Sequence, residues 1–151
     1  MLYETFPVGP FMCNCTIIGD DATKDAIIID PGDEAERILD IVRANDLTVK
    51  YLVHTHAHMD HITGTRRLKE ETGAEILLHS GDAWLYENLQ TQASMFGFNV
   101  QDPLPVDRYL EDGETIVFGA AETSVVHTPG HSPGSVCFRL EDGKDIVFSG
   151  D

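Results

Sequence analysis

A chain of 151 residues with 42% hydrophobic content is long enough to close one core, and nothing in it marks off a second unit, so residues 1–151 read as a single domain. Acidic residues number 26 against 10 basic ones, and the formal charge of −16 repels phosphate backbones and argues against nucleic acid as a partner. No apolar run approaches the roughly 18 residues of a membrane span, and Met1-Leu2-Tyr3-Glu4 lacks the basic start of a secretory leader, so neither a membrane nor export is expected and the cytoplasm is.

In chain order, 2–8 and 11–18 read as strands joined at Gly9-Pro10, and 26–30 as an apolar strand buried on both faces. Asp30, before Pro31-Gly32, has two readings: a brace for a neighbouring loop, or a turn-starting aspartate. Asp33 is the expected N-cap of an amphipathic helix over 33–45, with Ala35, Ile38, Leu39 and Val42 at helical spacing. A strand over 49–53 follows, completing a β-α-β unit. Helix 59–71 is stopped by Gly73, strand 74–78 follows, and 80–94 reads as helical before an irregular connection over 99–105. Short strands over 108–110, 115–118, 122–127, 135–140 and 145–148 end the chain, with Gly113, Gly119 and Gly143 at turns. Cys13, Cys15 and Cys137 fit reduced core thiols, and Phe11, Trp84, Tyr86, Phe96 and Phe98 have two readings, lining a substrate cleft or packing in the core, of which the core is expected.

The densest chemistry lies just after strand 49–53, in Val53-His54-Thr55-His56-Ala57-His58-Met59-Asp60-His61. In an extended segment residues i and i+2 face the same way, so His56 and His58 can hold one ion while Asp60 and His61, where the chain turns into a helix, project toward another. Imidazole with a single carboxylate suits a borderline cation such as zinc better than calcium or magnesium. His54, deeper in the strand, reads as a satisfied structural histidine, and so does the isolated His79. A second loop, His127-Thr128-Pro129-Gly130-His131-Ser132-Pro133-Gly134-Ser135, fixes His131 between turns, and Ser149-Gly150-Asp151 ends a further strand in a carboxylate.

Taken together, these strings resemble the metallo-β-lactamase superfamily, and within it the glyoxalase II-like hydrolases. The matching residues are His56, His58, Asp60 and His61 after Thr55, then Asn14-Cys15, Asp30-Pro31-Gly32, Gly64, 128–135 and 149–151. The resemblance implies an α/β fold, the αββα sandwich, with its second half incomplete in this chain. It further implies a binuclear centre in which His56, His58 and His131 bind one ion, Asp60 and His61 the other, and Asp151 both. Zinc is the expected metal, two ions per complete site, with iron or manganese as alternatives. Histidine at position 58, where the related flavodiiron oxidoreductases carry glutamate, favours the hydrolytic branch. The family takes one more histidine for its second ion from beyond the bridging aspartate, so this chain is expected to be part of a longer protein.

The activity so implied is hydrolysis of a small-molecule thioester such as an acylated glutathione, by attack of a metal-bridging hydroxide with Asp60 orienting the water or accepting its proton. Two rivals stand beside it. One is a persulfide dioxygenase-like oxidoreductase with one iron on His56, His131 and Asp151; the other is a catalytically silent metal-binding module. The sequence is silent on the acyl group, the native metal and the oligomeric state.

Overall fold

The computed structural model describes residues 1–151 throughout. Six strands, β1 (Leu2–Val8), β2 (Cys13–Gly19), β3 (Asp25–Ile29), β4 (Thr48–Val53), β5 (Glu75–His79) and β6 (Arg108–Leu110), form one sheet in chain order. β1, β2 and β3 pair antiparallel, and β3 to β6 run parallel. Four strands, β7 (Thr115–Phe118), β8 (Ala121–His127), β9 (Val136–Glu141) and β10 (Asp145–Phe148), form a second sheet, all antiparallel.

The alternation of side chains along the central strands decides how these layers stack. Ile28, Leu52, Ile76 and Leu78 point to one face of the first sheet and pack on Ile38, Leu39 and Val42 of helix α1 (Ala35–Ala44) and on Leu68 of α3 (Thr65–Thr72). Ile27, Ile29, Val53 and Leu77 point the other way, onto Val125, Val136, Phe138 and Leu140 of the second sheet. Both cores are apolar because the middle strands are covered on two sides where Ile27-Ile28-Ile29, Leu52-Val53 and Ile76-Leu77-Leu78 lie.

Three expected helices differ in detail. Asp33 does not cap α1; its Oδ1 accepts from the Glu34 N–H at 2.6 Å, and Glu34, at φ 53°, occupies the cap position with no side-chain bond to the helix. The helix expected over 59–71 divides into α2 (Met59–Ile62) and α3, because Gly64 is pressed against the Pro31 loop and donates its N–H to the Pro31 carbonyl at 2.9 Å. A Cβ at Gly64 would stand 2.6 Å from that oxygen. The stretch over 80–94 breaks into a 3₁₀ turn (Ser80–Asp82), α4 (Ala83–Glu87) and α5 (Leu89–Met95).

The aromatic residues depart further from expectation. Tyr86 is buried and donates its hydroxyl to the Leu104 carbonyl, but Phe11, Trp84, Phe96 and Phe98 are exposed. The short helices turn Tyr86, Leu89 and Ala93 inward, leaving Trp84 and the α5 C-terminus on the opposite side. No helix is long and apolar enough to cross a membrane.

Candidate metal centre

The parallel strands β3, β4 and β5 end along one edge of the first sheet, and the chain beyond each carries Asp30, 54–61 and 80–82 respectively. β8 and β10, both antiparallel to β9, end at a common edge of the second sheet and lead into 128–135 and 149–151. Since the sheets are stacked, residues distant in sequence meet there. The Val136 N–H donates to the Thr55 carbonyl at 2.8 Å, directly joining the two sheets beside the site.

All six residues singled out in the sequence converge. His56, His58 and His131 bring one ring nitrogen each within 4.8 Å of one another, as do Asp60, His61 and Asp151 with a nitrogen and two carboxylate oxygens. Asp151 lies between the groups: its Oδ2 is 3.2 Å from His61 Nε2, 3.7 Å from His131 Nε2 and 3.9 Å from His56 Nε2. His58 Nδ1 and His131 Nε2 face each other at 2.9 Å.

Asp30 is the brace of its two readings. Its Oδ1 accepts from the Thr55 N–H at 2.7 Å, and its Oδ2 from the Thr55 hydroxyl at 2.6 Å and His61 Nδ1 at 3.0 Å. Because the Thr55 hydrogen goes to Asp30, its oxygen is left to accept from His56 Nδ1, 3.0 Å away. Both imidazoles are therefore oriented with Nε2 toward the centre, a common device for orienting metal-binding histidines. For His61, Nε2 meets Asp60 and Asp151; for His56 it meets no partner and is the one buried side-chain N or O atom left unsatisfied. A buried imidazole lone pair left without a partner among three other imidazoles and a carboxylate is a donor suited to a metal ion, so the residues fit a metal.

Electrostatics agrees. Burial, with His61, His58 and His131 close by, lowers His56 to about 4 and keeps it neutral. Burial and His131 likewise lower His58. At His61 burial opposes the charge, but hydrogen bonds to Asp30, Asp60 and Cys13 outweigh it and raise its pKa, so this pocket favours a positive charge. Burial also opposes ionisation of Asp60, yet its contact with His61 holds the carboxyl below its usual range.

One residue that holds the site escaped the sequence reading. Asp82, fully buried, takes the Ala57 N–H at 2.9 Å and the Ser132 hydroxyl at 2.7 Å on Oδ2, and the Gly134 N–H at 2.7 Å on Oδ1. It ties the His56/His58 loop to the His131 loop. Its only signal in sequence was an aspartate just past a strand end, which many surface turns share. His54 is the satisfied histidine expected: Nδ1 pairs with the Leu77 carbonyl at 3.0 Å and Nε2 with the Thr65 hydroxyl at 2.7 Å. His79 stacks on His127, ring centroids 4.0 Å apart, away from the centre.

Residues 8–151 match the metallo-beta-lactamase superfamily. The chain belongs to that superfamily. Over its whole length it is 39% identical to hydroxyacylglutathione hydrolase GloC of Haemophilus influenzae, of which it covers 71%. Over 94% of its length it is also 33% identical to the mitochondrial persulfide dioxygenase ETHE1 of Bos taurus, covering 49% of that protein. Among solved structures it is similar to TTHA1623, crystallised in a di-iron-bound form, with a TM-score of 0.84 and 35% identity over 97% of this chain and 70% of that one. The metallo-β-lactamase fold expected from the motifs is thus the fold observed, here as one helix-covered sheet stacked on a second sheet. Members of this superfamily bind metal ions, and the His/Asp groups described above stand ready to do so.

Proposed function

We propose that the protein is a metal-dependent hydrolase of the glyoxalase II-like type, acting on a small thioester such as an acylated glutathione. The observation that carries the reading is the buried, partnerless Nε2 of His56 at the meeting point of His58, His131 and Asp151. Similarity to a hydroxyacylglutathione hydrolase supports the hydrolytic branch. His56, His58 and His131 would hold one ion, Asp60 and His61 a second, and Asp151 both; zinc, iron and manganese all suit such donors. Bound divalent cations supply Lewis acidity, which polarises a carbonyl and makes water a nucleophile near neutral pH.

The chain's own residues do the rest. Asp30 and Thr55 fix the ring orientation of His56 and His61 before any ligand arrives. Asp60, held ionised at the mouth of the site, accepts the proton of the attacking water. The loop of His131, secured through Ser132 to Asp82, keeps the opposite wall in place. The leaving thiolate departs toward solvent on the exposed His131 and Asp151 side.

A second reading is a one-iron oxidoreductase, favoured by the similarity to a persulfide dioxygenase and by the set His56, His131 and Asp151, two imidazoles and a carboxylate. Elemental analysis of protein purified without added metal, with His58→Ala as control, separates the two. Two ions per chain and release of thiol from an acylated glutathione support the hydrolase. One iron, with oxygen consumed on a persulfide and no thioester cleaved, replaces it with the oxidoreductase, and a chain that retains no metal refutes both.

A further inference from the structure

A cleft of ≈ 550 Å³ opens directly off the metal centre, with His58, Asp60, His131 and Asp151 at its inner end. Its outer wall is apolar. Phe11, from the turn between β1 and β2, meets the Phe96 ring edge to face at 5.2 Å, and Trp84 and Met95 from α4 and α5 complete the surface. Phe98 extends it, 6.2 Å from Phe11. Trp84, Met95 and Phe96 are 71%, 80% and 60% exposed. Large apolar side chains grouped in the open beside convergent polar groups are the usual signature of a ligand cleft rather than of a core. The remaining lining includes Asn88, Thr91 and Gln92, and neither a lysine nor an arginine reaches it.

This composition selects a chemistry. An anionic group on the outer wall of the cleft would find neither lysine nor arginine, in a chain of formal charge −16. A short hydroxylated acyl group would leave the aromatic wall uncovered. We propose that the cleft holds the acyl part of the substrate, and that this part is uncharged and apolar, a medium-length alkyl or an arylacetyl group. The reaction at the carbonyl rests on the hydrolase reading above; the binding preference does not.

Trp84 is the chain's only tryptophan, so its emission reports occupancy without turnover. The test uses the metal-loaded protein and two thioesters of the neutral thiol N-acetylcysteamine, S-acetyl and S-phenylacetyl, together with their inert amide counterparts. The phenylacetyl thioester is expected to have a kcat/KM at least about tenfold above that of the acetyl one. The phenylacetyl amide should shift Trp84 emission saturably where the acetyl amide does not. Phe96→Ala, at an exposed position, should lower the phenylacetyl-to-acetyl preference and the amide affinity by about fivefold. If neither thioester is cleaved while the amide still binds in a Phe96-dependent way, the hydrolase reading falls and the apolar cleft stands. Equal turnover of the two thioesters, or Trp84 emission unmoved by the phenylacetyl amide, overturns the proposal.

Discussion

His56 and His61 have side chains only 1% and 2% exposed, whereas His131 and Asp151 on the facing wall are 41% and 52% exposed. The buried half comes from one short run at the end of a parallel strand and is locked by a single buried carboxylate, Asp30, directly at His61 and through Thr55 at His56. The exposed half comes from two loop ends of the second sheet, and its histidine loop is secured at a distance by Asp82. The difference teaches that one centre is positioned by two separate braces, one local to its strand edge and one reaching between the sheets. Damage to each should have a different signature.

The largest effect is expected at the first brace. Asp30→Ala strands the Thr55 N–H, the Thr55 hydroxyl and His61 Nδ1, and should cost about 3–5 kcal/mol in urea unfolding of the metal-free protein. It should also abolish metal retention; a cost under about 1 kcal/mol would show that Asp30 is a mere turn residue. Asp82→Ala should destabilise by about 2–3 kcal/mol, since three donors lose their acceptor. Its metal affinity, measured by competition with a chelator, should fall about 10–100-fold, and Asp82→Asn should recover part of it. Unchanged affinity in a folded Asp82→Ala variant would remove Asp82 from the design.

Gly150→Ala tests the contact between the two halves. Gly150 has φ +64°, and a Cβ there would collide with the Thr55 side chain, so Asp151 must move. We expect about 1–2 kcal/mol of destabilisation in urea unfolding and fewer ions per chain by elemental analysis.

The smallest effect is at His54, where burial lowers the pKa in the folded chain. The unfolded chain takes up a proton near pH 6.5 and the folded one only below that, so His54 contributes stability that is complete above about pH 6.5 and lost on acidification through its lowered value. The metal-free protein's urea midpoint should therefore fall between pH 7 and pH 5, and less steeply in His54→Asn. Thr65→Val, which leaves the buried His54 Nε2 without its donor, should cost about 1–2 kcal/mol at pH 7.

The size of these effects does not track how far each feature could be read in the chain. The ligand-type residues of the strand edge were legible because strand periodicity and a tight string place His56, His58, Asp60 and His61 within reach of one another whatever the rest of the molecule does. The β-α-β unit was legible for the same reason, since α1 and its flanking strands carry their own periodic patterns. Asp82 was not, because its partners lie 25, 50 and 52 residues away and only sheet stacking brings them together.

The exposed aromatic residues were misjudged because helical spacing says that a stripe exists but not which side meets the core. In α4 and α5 the sheet took Tyr86, Leu89 and Ala93 and left Trp84 and Met95 outside. By itself, then, the sequence determined the family and the fold and singled out the candidate donors, all of which rest on local spacing and side-chain chemistry. Only the tertiary structure decided which carboxylates brace rather than line the centre, and which hydrophobic residues face solvent beside it, since both depend on contacts made when two sheets and three short helices pack against one edge.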